Sequence, residues 1–175
     1  MPFDRTCDHL HWTSPKVRLG SHARFGRALY AAAPIQQDEL VMVTGGHIMT
    51  VAEHDLLPPD LQHFATHVTA DHLIGRIVDA GEERGEFVNH SCDPTCGMDG
   101  PLNLVARYDL PIGAELTLDY AMCMTSHILD LQCECGSPRC RGHIRGDDWR
   151  RPELQVRYRG HFVPYIERWI AAGRA

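Results

Sequence analysis

Between Asn89 and Cys140 the chain carries three stretches able to do chemistry: Asn89-His90-Ser91-Cys92-Asp93-Pro94, Glu115-Leu116-Thr117-Leu118-Asp119-Tyr120, and Cys133-Glu134-Cys135-Gly136-Ser137-Pro138-Arg139-Cys140. The last is a C-x-C-x4-C run, with its thiols held in one tight loop by Gly and Pro. Crowded thiolates suit a metal, and zinc in a closed structural site takes four ligands in a tetrahedron. One position is left to fill from elsewhere, and Cys92 is the best candidate. A disulfide and unligated thiols are the rival readings. No charged-then-apolar leader or secretory cleavage pattern is visible from Met1 to Tyr30, so a reducing, cytoplasmic setting is expected. There, clustered cysteines bind metal more often than they form bridges. Cys7, Cys96 and Cys123 complete the seven cysteines and are expected as small core hydrophobes.

These stretches must be positioned by a single core, because 175 residues with 43% hydrophobic content fall inside the usual single-domain range. The pattern is mainly β (α+β). Leu29–Ala31, Leu40–Val43, His47–Met49, Leu73–Val78, Leu102–Arg107 and Glu115–Leu118 read as short strands, punctuated by Gly, Pro and Asn. A short helix is expected within Pro58–Val68. Two C-terminal helices are expected after Asp147-Asp148 with Pro152 in the first turn, and over Tyr165–Ala172 after Pro164. Their apolar faces are Leu154, Tyr158, Ile166, Trp169 and Ile170. No membrane span, repeat or low-complexity tract is visible.

Charge is uneven along the chain: residues 1–138 hold 8 Lys or Arg against 19 Asp or Glu, whereas residues 139–175 hold 9 against 4. An acidic body favours a basic partner. The basic tail either touches nucleic acid or packs on that body, and packing is the default. Of 17 basic residues only Lys16 is a lysine.

Taken in their order and spacing, the three stretches resemble the SET and post-SET signatures of protein lysine methyltransferases, over nearly the whole chain from Pro15 to Gly142. The resemblance implies a SET fold of short curved sheets with a knot-like threading. It divides the chain into a SET domain (1–130), a post-SET zinc segment (131–143) and a C-terminal helical tail (144–175) packed on the SET domain. It implies two cofactors, S-adenosyl-L-methionine and structural Zn2+. The turn at Gly26, Arg27 and Ala28 is similar to the glycine turn that approaches the methyl donor, with Ala28 standing where a second glycine is usual. Asn89 and His90 match positions on the adenine and ribose side of that cofactor, chiefly through backbone groups and the Asn89 amide. Leu131 is expected against the adenine. Thr95 replaces a usual Asn and Glu86 a usual basic residue, which bears on the substrate.

The resemblance makes Tyr120 the catalytic candidate. Methyl transfer from a sulfonium to an amine is an in-line displacement, so the enzyme chiefly aligns a deprotonated amine. Similar enzymes use a tyrosine hydroxyl and nearby carbonyls to do so. Leu118, with Tyr120, would line the substrate channel, and the residue at its position influences how many methyl groups are added. A strand-end core tyrosine is the bland alternative for Tyr120, and a capped turn for Asn89-His90-Ser91. The expected partner is a basic protein, whether histone-like, ribosomal or another. A catalytically silent SET-like binding module and a zinc-stabilised nucleic-acid binder are the competing functions. The latter ranks last because the tail arginines lack interleaved aromatics.

Overall fold

The computed structural model describes residues 10–63, 65–77, 84–125 and 129–174. Short strands dominate. The sheet nearest the site runs β2 (Val17–His22), β3 (Gly26–Ala31), β11 (Glu115–Leu118) and β8 (Asn89–His90). Within it β2, β3 and β11 pair antiparallel, whereas β11 and β8 pair parallel, Thr117 opposite Asn89 and Leu118 opposite His90. Parallel neighbours cannot be joined by a tight hairpin. The pair therefore forms between segments far apart in sequence, and it brings the first two chemical stretches side by side.

A second sheet orders β1 (Trp12–Thr13), β4 (Leu40–Val43), β10 (Asn103–Ala106) and β9 (Cys96–Asp99). A third orders β5 (His47–Thr50), β7 (His72–Gly75) and β6 (Thr66–His67). Between β5 and β6 lie helix α1 (Val51–His54) and helix α2 (Pro59–Gln62). Thr50 and Glu53 form a capping box: the Thr50 hydroxyl accepts from the Glu53 N–H at 3.2 Å and the Glu53 carboxylate accepts from the Thr50 N–H at 2.8 Å. The helix expected over Pro58–Val68 is thus only the four residues of α2. Thr66 and His67 are drawn instead into pairing with Ile74 and Leu73.

Strand β12 (Asp130–Gln132) and β13 (His143–Arg145) form a separate hairpin around the cysteine loop. Then follow α3 (Pro152–Arg157) and α4 (Pro164–Ala171), each opened by a proline whose missing N–H costs nothing in a first turn. Leu154, Tyr158, Val163, Tyr165 and Ile166 from this tail share one core with Leu29, Val41, Leu104 and Leu116 of the first two sheets. Trp169 and Ile170 are partly buried against it. The tail's apolar face is therefore covered by the sheets. Of the expected strands, β7 ends at Gly75 and Val78 lies outside the described residues, as does Cys7. No described helix is long and apolar enough to cross a membrane.

Candidate active site and metal centre

Cys92 follows directly on the parallel pair, and the β12–β13 hairpin swings Cys133, Cys135 and Cys140 onto it. The loop turns through Gly136 and closes at Gly142, at φ 76° and 70°, a left-handed conformation that suits glycine. The Cys133 N–H donates to the Gly142 carbonyl at 2.9 Å and the Cys140 N–H to that of Ser137 at 2.9 Å. All four sulfurs lie within 4.8 Å of one another, with Cys92 to Cys133 at 3.8 Å and Cys133 to Cys140 at 3.7 Å. Tetrahedral zinc with Zn–S near 2.3 Å requires sulfurs about 3.8 Å apart, so this donor set fits the ion. The spacing is also nearly twice the ~2.05 Å of a disulfide bond.

Burial pushes the Cys92 thiol up to about 11, so a bare cluster would keep its proton there, and a divalent cation is what would favour the thiolate. N–H groups already point at the sulfurs, from Arg141 to Cys92 at 3.3 Å and from Cys92 to Cys135 at 3.5 Å. Cys96 and Cys123 stay outside the cluster. Both are buried, and burial pushes each thiol up to about 12, in keeping with small core hydrophobes.

Strand β11 delivers Leu118, after which Asp119 accepts from the Ala121 N–H and starts a single 3-10 turn at Tyr120. Leu118 and Tyr120 line a cavity of about 520 Å³ whose other walls include Met42, Val88, Leu104 and Leu131. This enclosure is largely apolar. The Tyr120 hydroxyl donates to the Val88 carbonyl at 3.1 Å, and burial pushes its phenol well above the ordinary tyrosine range. It therefore stays protonated at neutral pH, suited to orient a substrate rather than to act as a base. Leu131, 41% exposed, sits at the rim.

Asn89 reaches from β8 to the start of β3 and β11, its amide donating to the Arg27 carbonyl at 3.0 Å and to the Glu115 carboxylate at 3.0 Å. Both amide protons are thus held within the protein, leaving its carbonyl oxygen and the adjoining backbone as the groups able to meet a ligand. Ala28 is fully buried, so its methyl packs inward, whereas Gly26, at φ 76°, presents an open side with nothing near the place of a Cβ. The Arg27 guanidinium lies over the Phe87 ring at 5.4 Å. Arg24 and Glu134 approach to 3.8 Å, which brings this turn up to the cysteine loop.

His90 is buried beside both centres: its Nδ1 accepts from the Tyr120 N–H at 3.3 Å and its Nε2 lies 3.4 Å from the Cys92 sulfur. Burial lowers its pKa to about 4, which keeps the imidazole neutral. The structure therefore gathers Leu118, Tyr120 and Leu131 around one cavity and Gly26, Arg27 and Asn89 at an adjacent turn, with His90 between Tyr120 and the cysteine cluster. None of Gly26, Arg27, Ala28, Asn89 and His90 is among the described residues walling the cavity.

Asp119 caps the turn that follows it and also centres a buried network that the sequence does not reveal. Asp119, with no exposed surface, receives two bonds from the Arg141 guanidinium at 2.5 and 2.8 Å and one from the Tyr158 hydroxyl at 2.9 Å. Arg141 also donates to Asp148, and Tyr158 to the Cys92 carbonyl at 3.0 Å. A buried charge pair with every oxygen engaged holds its geometry firmly. Arg141, adjacent to Cys140, was the one available hint, submerged among nine basic residues of the tail.

A family model described as the SET domain matches residues 26–121. Histone-lysine N-methyltransferase ash1 of Drosophila melanogaster is 29% identical over 150 residues, which cover 80% of this chain and 7% of that protein. Histone-lysine N-methyltransferase ASHH2 of Arabidopsis thaliana is 38% identical over 80 residues, 41% of this chain and 4% of the relative. ASHR3, a third histone-lysine N-methyltransferase, also of Arabidopsis thaliana, is 22% identical over 154 residues, 81% of this chain and 30% of its own length. The chain spans less than a third of each of these relatives.

Proposed function

We propose that this chain, which belongs to the SET-domain family, transfers a methyl group from S-adenosyl-L-methionine to the side-chain amine of lysine in a basic protein. The observation that carries the proposal is the apolar cavity in which a neutral, hydrogen-bonded Tyr120 stands beside Leu118. S-adenosyl-L-methionine, when bound, supplies an electrophilic methyl on a sulfonium. The Gly26–Arg27 segment, the Asn89 and His90 backbone and Leu131 would hold it beside the cysteine loop. The cavity's Met42, Leu104 and Leu118 walls would exclude water and disfavour the ammonium form of an entering lysine, lowering its pKa. The Tyr120 hydroxyl and the Val88 carbonyl would orient the freed amine lone pair along the line of displacement. Cys92, Cys133, Cys135 and Cys140 would hold zinc, fixing that loop against the parallel strand pair.

The acidic body of residues 1–138 supports a basic protein as substrate, and the relatives' names specify histone lysines. An intact Tyr120 and its cavity argue against a silent module. The experiment is incubation of the purified protein with isotope-labelled S-adenosyl-L-methionine and a panel of histones, ribosomal proteins and a lysate, followed by mass spectrometry of labelled residues. Lysine-borne label that disappears with Tyr120→Phe supports the reading. Binding of the cofactor with no transfer to any protein refutes it.

A further inference from the structure

His90 stands where the cysteine cluster and Tyr120 come closest, and its ring has two nitrogens facing two different partners. The Tyr120 backbone N–H points at Nδ1 from 3.3 Å. A donor pointed at Nδ1 requires a lone pair there, which leaves the ring proton on Nε2. Nε2 in turn lies 3.4 Å from the Cys92 sulfur, within reach for a donor to a thiolate. Asp119 Oδ1, 3.8 Å from Nδ1, is too distant to claim that nitrogen and is already engaged by Arg141 and the Ala121 N–H. The His90 and Tyr120 rings also meet edge to face, their centroids 5.1 Å apart. The parallel pairing of His90 with Leu118 anchors the His90 backbone on β11.

Tyr120 is thereby held at three points: its N–H and ring by His90, its hydroxyl by Val88. Two of the three belong to a residue whose remaining nitrogen rests on a sulfur of the cluster. We propose that His90 is a positioning residue that couples the metal state of the four-cysteine cluster to the placement of Tyr120, through Nε2–H to the Cys92 thiolate and Nδ1 to the Tyr120 amide. The proposal rests on the zinc and Tyr120 readings above. Outer donors to metal ligands orient them and alter metal affinity by roughly 10- to 100-fold when removed, and this donor has the second function of fixing the tyrosine.

Asn and Gln divide the two functions, because an Asn side chain places a polar atom near the position of Nδ1 and a Gln near that of Nε2. With His90→Asn, zinc affinity measured by chelator competition should fall about 10-fold or more. With His90→Gln it should stay within about threefold of the unsubstituted protein. At full zinc occupancy the loss of kcat should be larger in His90→Gln than in His90→Asn, with KM for S-adenosyl-L-methionine little changed. Parallel losses of zinc affinity and kcat in both variants would overturn the proposal. A measurement without substitution guards against misfolding: in the zinc-loaded full chain labelled with ¹⁵N-histidine, His90 should show a protonated Nε2 and a bare Nδ1. Zinc removal should then shift the Tyr120 amide resonance. A proton on Nδ1, or a Tyr120 amide indifferent to zinc, refutes the coupling. Failure of the unsubstituted chain to take up zinc refutes the metal reading itself.

Discussion

Replacing Tyr158 by Phe removes one oxygen from the centre of the molecule while keeping the ring. The side chain has no exposed surface, and its single hydroxyl proton is shared between the Asp119 carboxylate at 2.9 Å and the Cys92 carbonyl at 3.0 Å. A net neutral hydrogen bond contributes about 0.5–1.5 kcal/mol and one to a charged acceptor about 1.5–3 kcal/mol. Both acceptors keep other donors: Asp119 retains Arg141 and the Ala121 N–H, and the Cys92 carbonyl a long contact from Arg157. One phenolic proton shared between two acceptors amounts to about one bond to a charged acceptor, so the expected loss is about 1.5–3 kcal/mol. For a chain of this size that corresponds to a fall in melting temperature of roughly 3–12 °C. Urea unfolding of the zinc-loaded protein measures it, with an unchanged m-value showing that only stability moved. Tyr165→Phe is the control, since it loses a single neutral bond to the Thr125 hydroxyl at 2.9 Å and should cost only about 1 kcal/mol. A Tyr158→Phe loss below about 0.5 kcal/mol, or one no larger than the control, would show that the Asp119 hub does not hold the tail to the site.

Single substitutions Cys92→Ser, Cys133→Ser, Cys135→Ser and Cys140→Ser should each abolish stoichiometric zinc binding, whereas Cys96→Ser and Cys123→Ser should leave it intact; elemental analysis decides. Leu118→Tyr, at a cavity wall beside Tyr120, should shift product toward monomethyl-lysine by filling space and adding a hydroxyl. Mass spectrometry over time checks this, and unaltered product ratios would count against Leu118. Lys16, the sole lysine, is tied to Glu39 at 2.8 Å, so self-labelling should be absent or vanish in Lys16→Arg. Label persisting on another side chain would contradict a lysine-directed reaction. Burial holds the pKa of His67 below the ordinary value, so the unfolded chain takes up its proton first. The contribution to stability is accordingly level above about pH 6.5 and declines as pH falls below it. In His67→Gln, acid titration of the unfolding free energy should be flatter, and an identical slope would remove His67 from the account.

The cysteine tetrad could be anticipated because three of its members share one loop, so local spacing carried the information. Strands β4, β5 and β11 were visible as apolar runs for the same reason. Strand β2 was missed because VRLGSH neither alternates nor avoids glycine. Gly20 is there because a Cβ would stand 2.9 Å from the Tyr30 ring across the ladder, a constraint that exists only once the strands are paired. Likewise β9 contains Gly97, against which the His161 ring packs from the tail. The helix expected over Pro58–Val68 gave way after Gln62, since pairing with β7 offered Thr66 and His67 ladder bonds that helical propensity could not match. Tyr120 and Leu118 were readable from their motif, but the Asp119 hub was not. Its partners Arg141 and Tyr158 lie 22 and 39 positions away, and no periodicity links residues so separated.

The sharing of one core between the sheets and the C-terminal helices has a consequence for biosynthesis. The stretch matching the family ends at residue 121, yet the Met122 carbonyl accepts from the Val163 N–H, and Leu29 and Leu116 share one core with Tyr158 and Ile166. A nascent chain emerging at about 5–20 residues per second thus spends seconds with apolar strands exposed. Cys92 likewise waits for Cys133, Cys135 and Cys140. Ribosome-bound fragments ending before α4 should be bound by chaperones and cut readily by protease. Emergence of α4 from the ribosome should be the step at which protection and metal uptake appear together.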